Sequence, residues 1–370
     1  MESMVFLLRG FGEARGKCME NLFGLTLQEI EARCHELQIP AYRSKQIADW
    51  IYHKSANSFE EMKNLPKELR NILASRFSIF KAVCIMQWDS ADDVTSKFLL
   101  QFEDGVAVET VLMRQPYGNS VCISTQAGCA MGCTFCASTL HGVTRNLTAG
   151  EMLAEIFWIN DYLRPKKQKV DTMVLMGSGE PMMNYDNVLG FLRLMHEKYC
   201  LNFSYRNVAI STSGVVPGIK RLEKENLPIT LSISLHAAND SLRSELMPIN
   251  KKYSIQDVVA AGKSYSETTR RRVTYEYILI HGVNDTEKDA CDLANLLRGQ
   301  MANVNLIPIN PVRERHWKRP SKERVGDFLK YLEKLHISAT IRREMGTDIQ
   351  AACGQLRNQY EDGAEREFFD

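Results

Sequence analysis

The stretch Val121-Cys-Ile-Ser-Thr-Gln-Ala-Gly-Cys129-Ala-Met-Gly-Cys133-Thr-Phe-Cys136 decides both the fold and the chemistry of this chain. Residues 121–125 read as a short strand, and the glycines at 128 and 132 break the run. Three cysteines follow in C-x3-C-x2-C spacing. Thr148 and Glu151 then form a capping box, opening a helical pattern that reaches residue 163. Strand, chemically loaded loop and helix make the first unit of an alternating chain.

The alternation continues downstream. Strand-like runs lie at 170–176, 207–211, 229–235, 272–280, 303–309 and 338–342, separated by helical patterns near 185–198, 216–225, 254–268, 285–300 and 321–335. This order predicts an α/β fold with a parallel sheet or (β/α) barrel. Upstream, runs at 97–102 and 106–113 flank Glu103-Asp104-Gly105, a hairpin signal. Helical patterns open at the capping box of Thr26 and Glu29, cover 42–53, and begin again near Ser58 and Pro66. The expected organisation is a tail over 1–20, a helical accessory module over 21–95 that grips RNA, and a hairpin linker over 96–120. The barrel core then covers 121–345 and a C-terminal segment 346–370.

Composition narrows the function. The chain has 370 residues, 44% of them hydrophobic, and a net charge of only +1. No overall positive field draws in nucleic acid, so RNA binding would need local patches. No apolar run is long enough to span a membrane, which predicts no membrane partner. The apolar start lacks the basic flank of a signal peptide, so a cytoplasmic chain is expected. Ten cysteines without an export signal fit a reducing compartment, some as ligands or catalysts. Cys18, Cys34, Cys84, Cys200 and Cys291 are expected to be structural. Nothing demands more than a monomer.

Residues of chemical character cluster at strand ends. The cysteines follow the first strand and Gly177-Ser-Gly-Glu-Pro181 the second. Ser211-Thr-Ser-Gly214 closes the third, Ser234-Leu-His236 the fourth, and Asn310-Pro311 follows the sixth. Parallel barrels carry their sites on this face, so these segments should converge. Three thiolates can hold three irons of a cubane and leave the fourth open to chelate a small molecule. Phe135 could shield it. The competing reading is zinc held by the three cysteines and His141. Position after the first strand, with glycine-rich loops downstream, favours the cubane.

These motifs resemble the radical S-adenosylmethionine (SAM) superfamily. With Cys122-Ile-Ser-Thr-Gln126 and Asp348-Ile-Gln-Ala-Ala-Cys353-Gly-Gln-Leu356, the chain resembles the RNA adenine methyltransferase family of RlmN and Cfr, over about residues 21–360. The resemblance implies a partial TIM-type barrel with a small N-terminal helical domain. It implies a [4Fe-4S] cluster on Cys129, Cys133 and Cys136, and SAM used twice per turnover. It implies SAM contacts by Gly179, Glu180, Ser211, Ser234, Leu235, His236 and Asn310. Cys353 would take a methyl group from one SAM, lose hydrogen to a 5′-deoxyadenosyl radical, and add its carbon to adenine. Glu109 would accept the proton from the adduct. Cys122 would resolve the adduct, leaving a transient disulfide with Cys353. Glu180-Pro181 and Leu306-Ile-Pro-Ile-Asn310-Pro311 look like the RlmN branch, which acts on C2 of adenine in 23S rRNA and in tRNA beside the anticodon. The Cfr branch acts on C8. A flavodoxin or ferredoxin would supply electrons.

Two departures from the family pattern stand out, Ser178 in the loop before Glu180 and Met345 before Gly346. Candidate RNA contacts are Arg270-Arg-Arg272, Arg164-Pro-Lys-Lys167, Lys251-Lys252 and the loop Arg313-Glu-Arg-His-Trp317-Lys-Arg319. In the last, Trp317 could stack on an extruded base, against the plainer reading of a solvated loop. A non-catalytic RNA-binding metal–sulfur protein is the remaining alternative.

Overall fold

The structure is a computed structural model and describes residues 19–356. The stretch 1–18, with Cys18, and the stretch 357–370 lie outside the described residues. The chain divides into two compact units, one ending at Phe80 and the other starting at Lys81.

In the first unit, β1 (Glu20–Asn21) pairs in parallel with β2 (Phe77–Ser78) and ties the two ends together. Between them run α1 (Leu27–Glu36), α2 (Tyr42–Ala48) with a π-helical continuation over Asp49–His53, and α3 (Lys67–Arg76). Thr26 and Glu29 make the expected capping box, each side chain accepting from the other's backbone N–H. Pro66 is the residue that caps α3 rather than part of its first turn. Ile30, Ile47, Ile51 and Met62 form the fully buried centre of this small core.

The second unit is built on a ten-stranded sheet. Its antiparallel part is β3 (Val83–Asp89), β4 (Thr95–Gln101), β5 (Ala107–Gln115) and β6 (Gly118–Cys122). The stretch 83–89 is therefore an edge strand of the large sheet, not part of the helical module, and residues 96–120 are sheet strands rather than a linker. β7 (Gln126–Gly128) and β8 (Val143–Asn146) form a separate hairpin around the cysteine loop. The parallel part runs from β6 through β9 (Val170–Leu175), β10 (Val208–Thr212), β11 (Thr230–Ser234), β12 (Val273–Leu279), β13 (Ala302–Pro308) and β14 (Ala339–Ile341). Edges β3 and β14 do not pair with each other, so the barrel is partial and open.

Helices α4 (Ala149–Leu163), α5 (Tyr185–His196), α6 (Val216–Glu225), α7 (Asp240–Leu246), α8 (Ile255–Thr269), α9 (Glu287–Leu297) and α10 (Lys322–Lys334) fill the connections. Strand β12 shows how the layers form. Side chains alternate between faces along a strand. Val273, Tyr275, Tyr277 and Leu279 lie at most 1% exposed, and the Tyr277 ring stacks on Phe328 of α10. Glu276 and Ile278 point to the opposite face and line a cavity. Neither α7 nor the β7–β8 hairpin was marked by a clear sequence pattern.

Candidate active site

Two adjoining cavities open at the carboxyl ends of the parallel strands. The smaller, about 160 Å³, has Cys129, Cys133, Cys136, Gly179, Glu180, Ser211, Ser234 and His236 in its wall. The larger, about 490 Å³, has Cys122, Asn310 and Tyr117 in its wall. Met176, Ile307, Arg342 and Cys353 belong to both walls. Cys353 thus stands at the junction, with the three-cysteine loop on one side and Cys122 on the other.

The cysteine loop is held from several directions. Gly128 N–H donates to Ser178 Oγ at 3.1 Å, so the residue that departs from the family pattern anchors the loop next to Cys129. The Cys129 N–H donates to the Gly142 carbonyl, and the Thr134 N–H to that of Leu246. Burial pushes the Cys129 thiol up to about 12 and raises Cys133 and Cys136 as well. Buried thiols of this kind become good ligands once a cation offsets the cost of their charge.

The donor set fits an iron–sulfur cubane better than zinc. His141 is exposed and absent from the cavity wall, so the fourth ligand of a Cys3His site is missing. Among the described residues no three His, Cys, Asp or Glu side chains gather closely enough around one point to hold an ion. The thiols line one wall of a largely apolar cavity that also carries the polar side chains of Glu180, Ser211, Ser234 and His236. Cys129, Cys133 and Cys136 would hold such a cluster, and Gly179, Ser211, Ser234 and His236 line the same cavity.

Each predicted SAM contact has a definite place. Gly179 adopts φ +107°, and a Cβ there would strike Gln126 at 2.7 Å. Close packing on Gln126 of β7 requires a glycine here, and the residue also lines the smaller cavity. The Glu180 carboxylate accepts from Thr212 Oγ1 at 2.7 Å, Ser213 N–H at 2.6 Å and Met182 N–H at 3.0 Å. Burial raises its pKa against those three donors. His236 has φ +61°, a costly conformation for this residue, fixed by Asn284 donating to its carbonyl at 2.9 Å. Its Nδ1 accepts from Ile278 N–H at 3.0 Å, which leaves the proton on Nε2. Burial, helped by Arg243, lowers its pKa to about 3, so the ring is a neutral donor. Ser211 and Ser234 line the same cavity, whereas the fully buried Leu235 does not. Asn310 sits on the larger cavity. Its Nδ2 donates to the Cys353 carbonyl at 3.1 Å and its buried Oδ1 has no protein partner, which suits a ligand donor.

The C-terminal cysteine segment is docked on the cysteine loop itself. Ala137 N–H donates to the Gly354 carbonyl at 2.7 Å, and Ser138 Oγ to that of Leu356 at 2.7 Å. Cys122 and Cys353 are both free thiols. Burial, then the neighbouring Cys353, raise the Cys122 pKa. Glu109 is fully buried and forms an ion pair with Lys97 Nζ at 2.7 Å. Lys97 Nζ also lies 3.4 Å from the Gln350 carbonyl. Glu109 belongs to neither cavity wall, so in this state the structure does not bring it to the other site residues.

Three residues escaped the sequence reading. Arg342, immediately after β14, packs its guanidinium on Met176 Sδ at 3.6 and 3.7 Å. The neighbouring Cys353 sulfur, ahead of Glu276, raises its pKa. Its position at a strand end could have revealed it. Arg243 is fully buried and donates to the carbonyls of Ser213, Ser234 and Leu235, bracing two strand ends from behind. Burial lowers its pKa to about 10. Glu276 faces the smaller cavity and accepts from Asn305 Nδ2 at 2.7 Å. The expected role of Trp317 is corrected: its indole N–H donates to the Thr134 carbonyl at 3.0 Å, so the ring belongs to the cysteine loop's support.

Known proteins share this architecture. Residues 123–294 match the radical SAM superfamily model, and residues 20–79 match the ribosomal RNA large subunit methyltransferase N-terminal domain. A probable dual-specificity RNA methyltransferase RlmN of Symbiobacterium thermophilum is 50% identical over 337 residues, covering 91% of each chain. One from Clostridium perfringens is 47% identical over 342 residues, covering 92% of this chain and 98% of that one. The crystal structure of a radical SAM methyltransferase from Sphaerobacter thermophilus superposes with a TM-score of 0.89 at 44% identity, covering 92% of this chain and 100% of that one. The chain therefore belongs to the RlmN family of radical SAM RNA methyltransferases, enzymes that use a [4Fe-4S] cluster and SAM.

Proposed function

We propose that this enzyme methylates C2 of an adenosine in 23S rRNA and of the adenosine 3′ of the anticodon in tRNA. The observation that carries the reading is Cys353 at the junction of two cavities, one lined by the cluster cysteines and the other by Cys122. The dual-specificity names of the relatives support two RNA substrates and the C2 branch over the C8 one. When bound, the cluster and SAM together supply the 5′-deoxyadenosyl radical.

The chain's own residues do the rest. Arg342 places its guanidinium beside the Cys353 sulfur, which takes a methyl group. The larger cavity receives the base, with Met113, Met176 and Ile307 giving it an apolar bed. A base extruded from its RNA stack is what such a cavity suits. Glu109 takes the proton from the adduct carbon. Its route opens when the segment carrying Gln350 and Cys353 shifts, because Lys97 bridges the two. Cys122 then attacks the Cys353 sulfur, forming a Cys122–Cys353 disulfide as the sulfur–carbon bond breaks; the departing carbon takes a proton to become the methyl group, and an external thiol reductant restores the two cysteines. Electrons come from a flavodoxin- or ferredoxin-type donor.

The test is anaerobic reconstitution with SAM, reductant and RNA, followed by nucleoside mass spectrometry against standards. The expected product is 2-methyladenosine in both RNAs. 8-methyladenosine as the sole product would replace this reading with the C8 one. SAM left uncleaved by the intact cluster would favour a non-catalytic binder.

A further inference from the structure

The loop after β13 joins basic and aromatic residues, and its chemistry is spent inward. Arg315 Nη2 lies 3.3 Å from the Cys136 carbonyl and 3.1 Å from Thr139 Oγ1. Thr139 Oγ1 in turn is 3.0 Å from the carbonyls of both Cys133 and Cys136. Two residues on, Trp317 bonds the Thr134 carbonyl and packs against the cluster of buried residues that contains Cys133 and Phe135. Three backbone and hydroxyl contacts therefore converge on residues 134–139 from one outside loop. Both of these Arg315 acceptors are neutral oxygens, and among the described residues no ion pair cancels its charge where it meets the Cys136 edge.

We propose that Arg315 and Trp317 are positioning residues for the iron–sulfur centre, Trp317 fixing the cysteine loop and Arg315 also favouring the reduced cluster through its positive charge. The physical reason is the charge change. Reduction adds one electron, hence one negative charge, to a cluster in a low-dielectric site. A fixed cation nearby stabilises that state more than the oxidised one, and net charge and hydrogen bonding are established levers on cluster potential. Trp317 is neutral and should act on loop rigidity alone. The inference rests on the cluster and not on which RNA is methylated.

The test uses the reconstituted holoenzyme without RNA. Arg315→Gln, Arg315→Lys and Trp317→Phe proteins are titrated with dithionite and mediators, dithionite giving one electron per cluster, and followed by electron paramagnetic resonance. Cluster loss to a chelator is timed in parallel. Arg315→Gln should be harder to reduce by about tenfold in the equilibrium, or 59 mV for one electron. Arg315→Lys should stay near the parent potential. Trp317→Phe should keep the potential but lose its cluster several-fold faster. If Arg315→Gln holds no cluster while Arg315→Lys holds one at the parent potential, the charge-dependent grip is upheld. Equal potentials in the parent, Gln and Lys proteins overturn the proposal. So does an equal shift in the Gln and Lys proteins, which would mark a merely structural contact.

Discussion

Lys97→Met should be among the most damaging single changes away from the cysteines. The side chain is paired with Glu109 at 2.7 Å, and the two groups are 7% and 0% exposed. At that separation the attraction is about 6 kcal/mol for an effective dielectric near 20. Desolvation of both ions offsets much of it, so the pair itself contributes little net stability. Removing one partner is different, because it leaves a buried carboxylate without its Lys97 cation, at a cost of about 3–5 kcal/mol. Lys97 also sits over the Trp88 ring at 4.6 Å from its centroid, a contact worth about 1–2 kcal/mol when desolvated. Against a typical total of about 5–15 kcal/mol, the loss should bring the protein near unfolding. Urea denaturation of the metal-free protein, followed by circular dichroism, measures it. Lys97→Met with Glu109→Gln should recover more than half of the loss, since the unpaired charge is gone. A single mutant that loses less than about 1 kcal/mol would refute the buried pair.

Other changes should be as specific. His236 is held neutral with a pKa near 3, below its ordinary 6.5. The unfolded chain therefore binds one more proton between those values, and stability should fall as pH drops through that window, by up to about 1.4 kcal/mol per unit. His236→Gln should flatten the slope in metal-free protein; an unchanged slope between pH 6.5 and 5 would contradict this. Arg342→Met should slow methylation of Cys353 by on the order of tenfold or more, read by peptide mass spectrometry with SAM and no RNA, because the reacting sulfur loses its neighbouring cation. A Cβ at position 177 would meet the Ile123 carbonyl at 2.6 Å, so Gly177→Ala should cost about 1–3 kcal/mol in urea unfolding. Parent-like stability would mean that the loop yields freely.

Much of this was legible because the periodic signals and the caps agree with the tertiary structure. All seven expected barrel strands form, and the capping boxes at Thr26 and Thr148 begin helices where they should. The strand-end rule brought the cysteines, Gly179, Glu180, Ser211, Ser234 and His236 to one cavity. It would also have found Arg342, had a lone basic residue after the short β14 been weighed. The edge strand Val83–Asp89 was hidden because it alternates only half-buried and exposed side chains, so no apolar face stands out. Glu109 reads as a solvated strand charge until Lys97 is placed diagonally across from it, two positions from its direct partner Leu99, which only the β4–β5 register supplies. Arg243 and Trp317 act through backbone carbonyls of segments far away in sequence, and composition carries no trace of such partners.

The account stands on the covalent history of Cys353. Cys122→Ala enzyme, reconstituted and turned over with SAM, reductant and RNA, should be digested and its Cys353 peptide weighed. The expected species is that peptide joined through one carbon to an adenine nucleotide. An unmodified Cys353 peptide, with methylated RNA released at the parent rate, would contradict the account.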